Sequence, residues 1–151
     1  MVEDELEKTI KELQKKIDDD EEQTYSKVVI REYRNPINFG ILEHPDTVGV
    51  IKGPCGDTMK ITLMIHNGKI QDARFWTDGC GATLACGNML MKMIKIKSLL
   101  EAMSISQEDL LKALDGLPEN HSHCAKLSLN TLHKAIIMYL ERKGMLKGEL
   151  V

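Results

Sequence analysis

Aromatic residues are scarce in this chain of 151: one Trp, two Phe and three Tyr. A core, which a hydrophobic content of 42% allows, must therefore be mostly aliphatic. Nine methionines either fill part of it or line a surface that adapts to several partners. Long apolar runs are missing as well, so no segment is expected to span a membrane. The opening MVEDELEKTI lacks the apolar stretch of a secretory signal. The expectation is a cytoplasmic protein whose four cysteines are reduced. The net charge of −3 comes without any basic stripe, which argues against a nucleic-acid partner. Paired CxxC spacings are absent, and with them the usual structural zinc site. Ferredoxin-type cysteine runs are absent too.

The charge that is present is unevenly placed. Residues 1–26 hold ten acidic and four basic side chains, the remainder thirteen and sixteen. Within the acidic part, Leu6, Ile10, Leu13 and Ile17 fall at spacings of four, three and four, one apolar stripe on a helix. That stripe is expected to dock on the body or on a partner, and DDDEE after it reads as a solvated hinge. A second helix fits YSKVVIREY and should stop before Pro36. NPINFGILEHPDTVG reads as loop. VGVIK, MKITLMIH and KIQDARFWT read as strands, the last two joined by Asn67-Gly68, a strong hairpin signal. From Cys80 onward the pattern is helical. Cys86, Leu90, Met93 and Ile94 form a stripe. Ser106 to Asp109 forms a capping box, and a last helix runs from about Cys124 to Arg142. The predicted fold class is α+β: a three-stranded antiparallel sheet with helices packed on one face, plus an N-terminal helical extension.

Three of the four cysteines lie at junctions between elements. Cys55 sits in GPCGD, before the hairpin. Cys80 sits in DGCGAT, where strand gives way to helix, and Cys124 in ENHSHCAK, at the start of the last helix. A helix N-terminus favours a thiolate, so Cys80 and Cys124 should be more acidic than a free cysteine. Cys55 should be exposed. Cys86 shares its helix face with Leu90 and Ile94 and is assigned to the core. His123 adjoins Cys124 and reaches the same ligand; His121, two residues earlier, is its substitute. His44, His66 and His133 are assigned to structure. Cys55 and Asp57, two apart in a glycine-bracketed turn, can face one metal. Three thiolates, a carboxylate and an imidazole exceed what a closed tetrahedral site needs. A hard oxygen among sulfurs should be the weakest and most exchangeable ligand.

REYRNPINFG, GPCGDTMKI, ARFWTDGCGATLACGNML and LPENHSHCAKL, in this order and spacing, resemble the IscU/NifU-type iron–sulfur cluster scaffold proteins. The resemblance covers roughly residues 25–142. It implies an IscU/SufE-like sandwich and a platform on which a [2Fe–2S] cluster is built and passed to apo-proteins, not an enzyme. It implies a cysteine desulfurase as sulfur source and an electron donor such as ferredoxin. Carried over residue by residue, the ligands are Cys55, Asp57, Cys80, His123 and Cys124, and Cys124 is the persulfide acceptor. Iron is the expected metal, with zinc taken up by the isolated protein. Tyr25 matches a tyrosine that some members use to self-associate, which implies a homodimer. LPENH stands where members served by a dedicated Hsp70 chaperone carry LPPVK, which argues against that delivery route. On this reading residues 1–24 are an acidic helical extension, 25–145 the scaffold domain and 146–151 a tail. The alternative is a zinc-dependent persulfide acceptor resembling the SufU branch. That branch's insertion ahead of the last cysteine, and its basic residue where His123 stands, are both missing here.

Overall fold

The computed structural model describes residues 2–144; the 146–151 tail lies outside the described residues. The strands are β1 (Thr47–Lys52), β2 (Thr58–His66) and β3 (Lys69–Thr77). The helices are α1 (Val2–Thr24), α2 (Lys27–Arg34), α3 (Gly81–Ile94), α4 (Leu99–Met103), α5 (Gln107–Ala113) and α6 (Ser122–Arg142). A short 3-10 turn, Glu119–His121, leads into α6.

Asn67 and Gly68 take φ of 53° and 74°, the backbone of a two-residue hairpin turn whose twist suits the strands it joins. They connect β2 to β3, and β1 pairs with the far side of β2, giving an antiparallel sheet in the order β1-β2-β3. Alternation along β2 buries Met59, Ile61, Leu63 and Ile65, and α3 and α6 pack over the sheet. The expected α+β fold is what forms. α6 lies directly on the β1 backbone: a Cβ added at Gly49 would stand 2.5 Å from the Thr131 carbonyl oxygen. The Thr47 hydroxyl donates to the Ala135 carbonyl at 2.7 Å across the same contact. Cys86, Leu90 and Ile94 are fully buried in this core. The Ser106–Asp109 capping box is made from both sides. α6 begins at Ser122 rather than at Cys124, because the 3-10 turn already directs the chain into it.

α2 is capped by Ser26, whose hydroxyl accepts from Val29 N at 3.1 Å, and it ends before Pro36 as expected. It carries a buried charge that the sequence pattern does not betray. Glu32 is only 1% exposed and accepts from Lys92 Nζ at 2.8 Å, Arg31 Nε at 3.1 Å and Asn88 Nδ2 at 3.1 Å. Burial pushes its carboxyl upward, but those donors outweigh it and hold the pKa below the ordinary value. The Asn88 side chain also accepts from Asn38 N, so this network ties α2, α3 and the following loop together.

One expectation for the extension is corrected and another is narrowed. DDDEE is not a hinge, because α1 continues through Thr24. Arg34 pairs with both Asp18, at 3.0 Å, and Glu21, pinning the last turns of α1 to α2. Hydrogen bonds from Tyr33 and Arg34 hold the Glu21 carboxyl below its usual range. Of the two places expected for the apolar stripe, the body or a partner, it is not the body: Leu6, Ile10, Leu13 and Ile17 are each more than half exposed.

Candidate metal centre

Four pieces of chain converge at one end of α3 and α6: the turn between β1 and β2, the junction from β3 to α3, the turn entering α6, and Tyr25 ahead of α2. Cys80 is the N-cap of α3 and is exposed. His121 is the N-cap of α6, and Cys124 follows three residues later, so the helix start points both the same way. The Cys80 sulfur, one His121 ring nitrogen and the Cys124 sulfur all lie within 4.8 Å of one another. Two thiols and an imidazole form a borderline-soft donor set, suited to zinc or iron and poorly suited to magnesium or calcium.

Thr83 sits between the sulfurs. Its hydroxyl donates to Cys124 Sγ at 3.3 Å and lies 3.7 Å from Cys80 Sγ. The Tyr25 hydroxyl lies 3.3 Å from His121 Nε2, while His121 Nδ1 is buried without a partner. Burial, and then the Cys80 and Cys124 sulfurs, raise the Tyr25 phenol above its ordinary pKa.

The remaining predicted residues surround this group without joining it. His123 stacks beside His121, ring centroids 6.4 Å apart, with its Nε2 3.7 Å from Cys124 Sγ. Cys55 is exposed at the tip of its turn, which Gly56 makes with φ of 90°, a conformation that favours glycine. Asp57 comes back against the β3–α3 junction. A Cβ at Gly79 would stand 2.9 Å from Asp57 Oδ2 and 2.8 Å from Thr83 Oγ1. Only a bare backbone lets that carboxylate approach the residue next to Cys80. Among the described residues, Cys55, Asp57 and His123 are not part of the 4.8 Å group.

One expectation about reactivity is overturned. Cys124 stands in the first turn of α6, yet it is 1% exposed and its pKa is pushed up to about 11. Burial is the main cause; the Thr83 hydroxyl opposes it, and the neighbouring Cys80 and Cys55 sulfurs add to it. Desolvation outweighs the helix dipole here, because a thiolate loses water on every side whereas the dipole acts from one. Burial likewise keeps the Cys86 thiol protonated, well above its usual pKa.

Sequence reasoning missed Thr83 and the Tyr25–His121 contact. Thr83 follows Cys80 by one helical turn, a spacing that puts both on one face and marks it in retrospect. The Tyr25–His121 contact joins residues 96 apart in the chain and has no local signal.

A small α+β domain that gathers cysteine and histidine side chains where its helices begin is, as a class, a metal-site domain. Residues 24–145 match the model of the NifU-like N terminal domain. The iron-sulfur cluster assembly scaffold protein IscU of Aquifex aeolicus is 40% identical over 123 residues, covering 80% of this chain and 78% of that protein. The protein of the same name from Escherichia coli K12 is 36% identical over 124 residues, covering 79% and 96%. A NifU-like protein (N-terminal) from Brucella abortus shares the fold, with a TM-score of 0.61 at 19% identity over 78% of this chain and 94% of that one. The chain belongs to the NifU-like N-terminal domain family and is an IscU/NifU-type protein.

Proposed function

We propose that this protein is a scaffold on which an iron–sulfur cluster is assembled and from which it is passed to apo-proteins, rather than an enzyme. The observation that carries the reading is the convergence of the Cys80 and Cys124 sulfurs with an imidazole at one rim, beside an exposed turn bearing Cys55 and Asp57. In this reading the cargo is a [2Fe–2S] cluster, and its ligands are drawn from Cys55, Asp57, Cys80, His123 and Cys124.

Sulfur arrives as the persulfide of a cysteine desulfurase. The Cys124 thiolate attacks the outer sulfur, the S–S bond of the donor breaks, and the desulfurase cysteine leaves as a thiolate. Release of that sulfur as sulfide takes two electrons, the task of an electron donor such as a ferredoxin. Because Cys124 is buried, delivery requires the side chains around its sulfur to open. Asp57, the hard oxygen of the set, is the ligand that lets the cluster leave. The four free cysteines fit a reducing cytoplasm. Among the described residues no helix is long and apolar enough to cross a membrane.

The test is anaerobic incubation of the full chain with ferrous iron, cysteine, a desulfurase and a reductant, followed by addition of an apo-ferredoxin. Visible charge-transfer absorption should grow and then move to the ferredoxin. Persulfide accumulating on a zinc-loaded protein with no coloured cluster would favour the SufU-like sulfur acceptor instead. Asp57→Ala should hold its cluster longer than the wild type; faster loss would refute the role given to the carboxylate.

A further inference from the structure

We propose that α1 pairs with α1 of a second copy of this chain, as a parallel two-stranded coiled coil whose seam is Leu6, Ile10, Leu13 and Ile17. The pairing does not depend on what the metal centre carries.

α1 is one unbroken helix of 23 residues without a buried side chain, and its four stripe residues are 53–59% exposed. A helix draws most of its stability from packing an amphipathic face, and this face meets nothing on its own body. Arg34 anchors the last turns of α1 through Asp18 and Glu21. The turns before them carry the stripe clear of the body.

The side chains select the occupant. Spacings of four, three and four allow a single heptad register, with Ile10 and Ile17 at a and Leu6 and Leu13 at d. β-Branched residues at a with leucine at d favour two parallel strands. The b, c and f positions from Asp4 to Lys15 are all charged, as a solvated outer face should be.

The flanks are complementary between identical chains. In a parallel pair each g position faces the next e position of the other strand. Lys16 thus faces Glu21 of the second copy, twice by symmetry, and Thr9 faces Gln14. Arg34 and Tyr33 hold Glu21 in place, yet its side chain stays 25% exposed. Self-complementarity of this kind is what a two-fold pairing requires, and it points to a second copy rather than a different protein. Glu3 and Asp20, at the next a and d positions, set like charges against each other and end the seam. Leu6 to Ile17 spans about 17 Å of helix. A seam that short is smaller than a standard interface, so the pair dissociates on dilution and adds nothing to the stability of the dilute chain. Tyr25 takes no part: its hydroxyl lies 3.3 Å from His121 Nε2 of its own chain.

The test is sedimentation equilibrium of the reduced full chain from micromolar to millimolar concentration. Monomer should give way to dimer as the concentration rises. Ile10→Asp sets two carboxylates together in place of an apolar layer and should weaken the dimer at least about a hundredfold. Lys16→Glu turns the flanking attraction into repulsion and should weaken it about tenfold. Lys15→Glu, on the outer face, and Tyr25→Phe should dimerise as wild type. Circular dichroism of the dilute variants confirms that they are folded; should Ile10→Asp unwind α1, Leu13→Ala with Ile17→Ala takes its place. Strand direction is read from Leu6→Cys, oxidised in air and mapped by peptide mass spectrometry: position 6 should cross-link to itself. Cross-links only between Leu6→Cys and Ile17→Cys, in a mixture of the two variants, would mean antiparallel strands and overturn the proposal. So would a chain that stays monomeric throughout, an assembly larger than two, or a dimer that survives Ile10→Asp. A dimer abolished by Leu100→Asp, a different exposed apolar side chain, would place the contact elsewhere and overturn it too.

Discussion

Cys124 is expected to be the slowest of the accessible-end cysteines to react, despite its place at a helix start. Its pKa of about 11 stands against an ordinary value of 9.0. Two units leave about a hundredfold less thiolate at neutral pH than an ordinary thiol has, since each unit is a factor of ten. Burial to 1% exposure slows reagents further. The assay is iodoacetamide alkylation of the reduced protein at pH 7 to 10.5, with each cysteine followed by peptide mass spectrometry. Exposed Cys55 and Cys80 should be modified first, and Cys124 at least about a hundredfold more slowly at pH 7. Its rate should still be climbing at the top of the range. Thr83→Val removes the hydroxyl that opposes the upward shift, and should move the Cys124 profile to still higher pH. The same shift makes a stability statement. A group whose folded pKa is raised contributes fully below its unfolded value, and that contribution is lost as pH climbs through the folded one. Stability should therefore fall by about 2 kcal/mol between pH 9 and 11 on account of Cys124, a loss that Cys124→Ala should not show. Alkylation of Cys124 within a few-fold of Cys55 at pH 7 would refute the reasoning.

Three further outcomes are expected. Glu32→Ala should cost about 2–3 kcal/mol in denaturant unfolding, because Lys92 and Asn88 lose a charged acceptor. The wild-type contribution should also fade as pH drops below the ordinary carboxylate value of 4.5. Gly79→Ala should cost about 1–3 kcal/mol and disturb Asp57 and Thr83, which its Cβ would meet at 2.9 and 2.8 Å; unchanged cluster lifetime in that variant would deny Asp57 its place near Cys80. Deleting residues 1–17 removes exposed side chains while keeping the Arg34 pairs. Thermal unfolding should register less than about 1 kcal/mol, and a larger loss would mean that the stripe packs on something.

The sheet was legible because its signals are local. Alternation on β2, the Asn67-Gly68 turn and the Ser106 capping box each depend on residues within a few positions of one another. The extension misled for the opposite reason: DDDEE looks like a solvated run until Arg34, more than a dozen residues on, neutralises Asp18 and Glu21. Glu32 reads as the polar face of a short helix, and only the arrival of Lys92 and Asn88 from α3 lets it be buried. At the site, the junction cysteines stand out by sequence context, and so does Cys86 as a core residue. The protonation of Cys124 was misread because the dipole argument is local, whereas desolvation depends on what packs over the thiol. Which of two histidines meets the sulfurs is likewise a matter of tertiary geometry, since both lie within three residues of Cys124.

The central claim, that the junction cysteines hold a cluster, is tested most directly by four single variants in the anaerobic assembly reaction. Cys55→Ser, Cys80→Ser and Cys124→Ser should each lose or strongly alter the visible charge-transfer spectrum, while Cys86→Ala, changed only in the core, should keep it. A wild-type spectrum from Cys80→Ser and Cys124→Ser together would contradict the account.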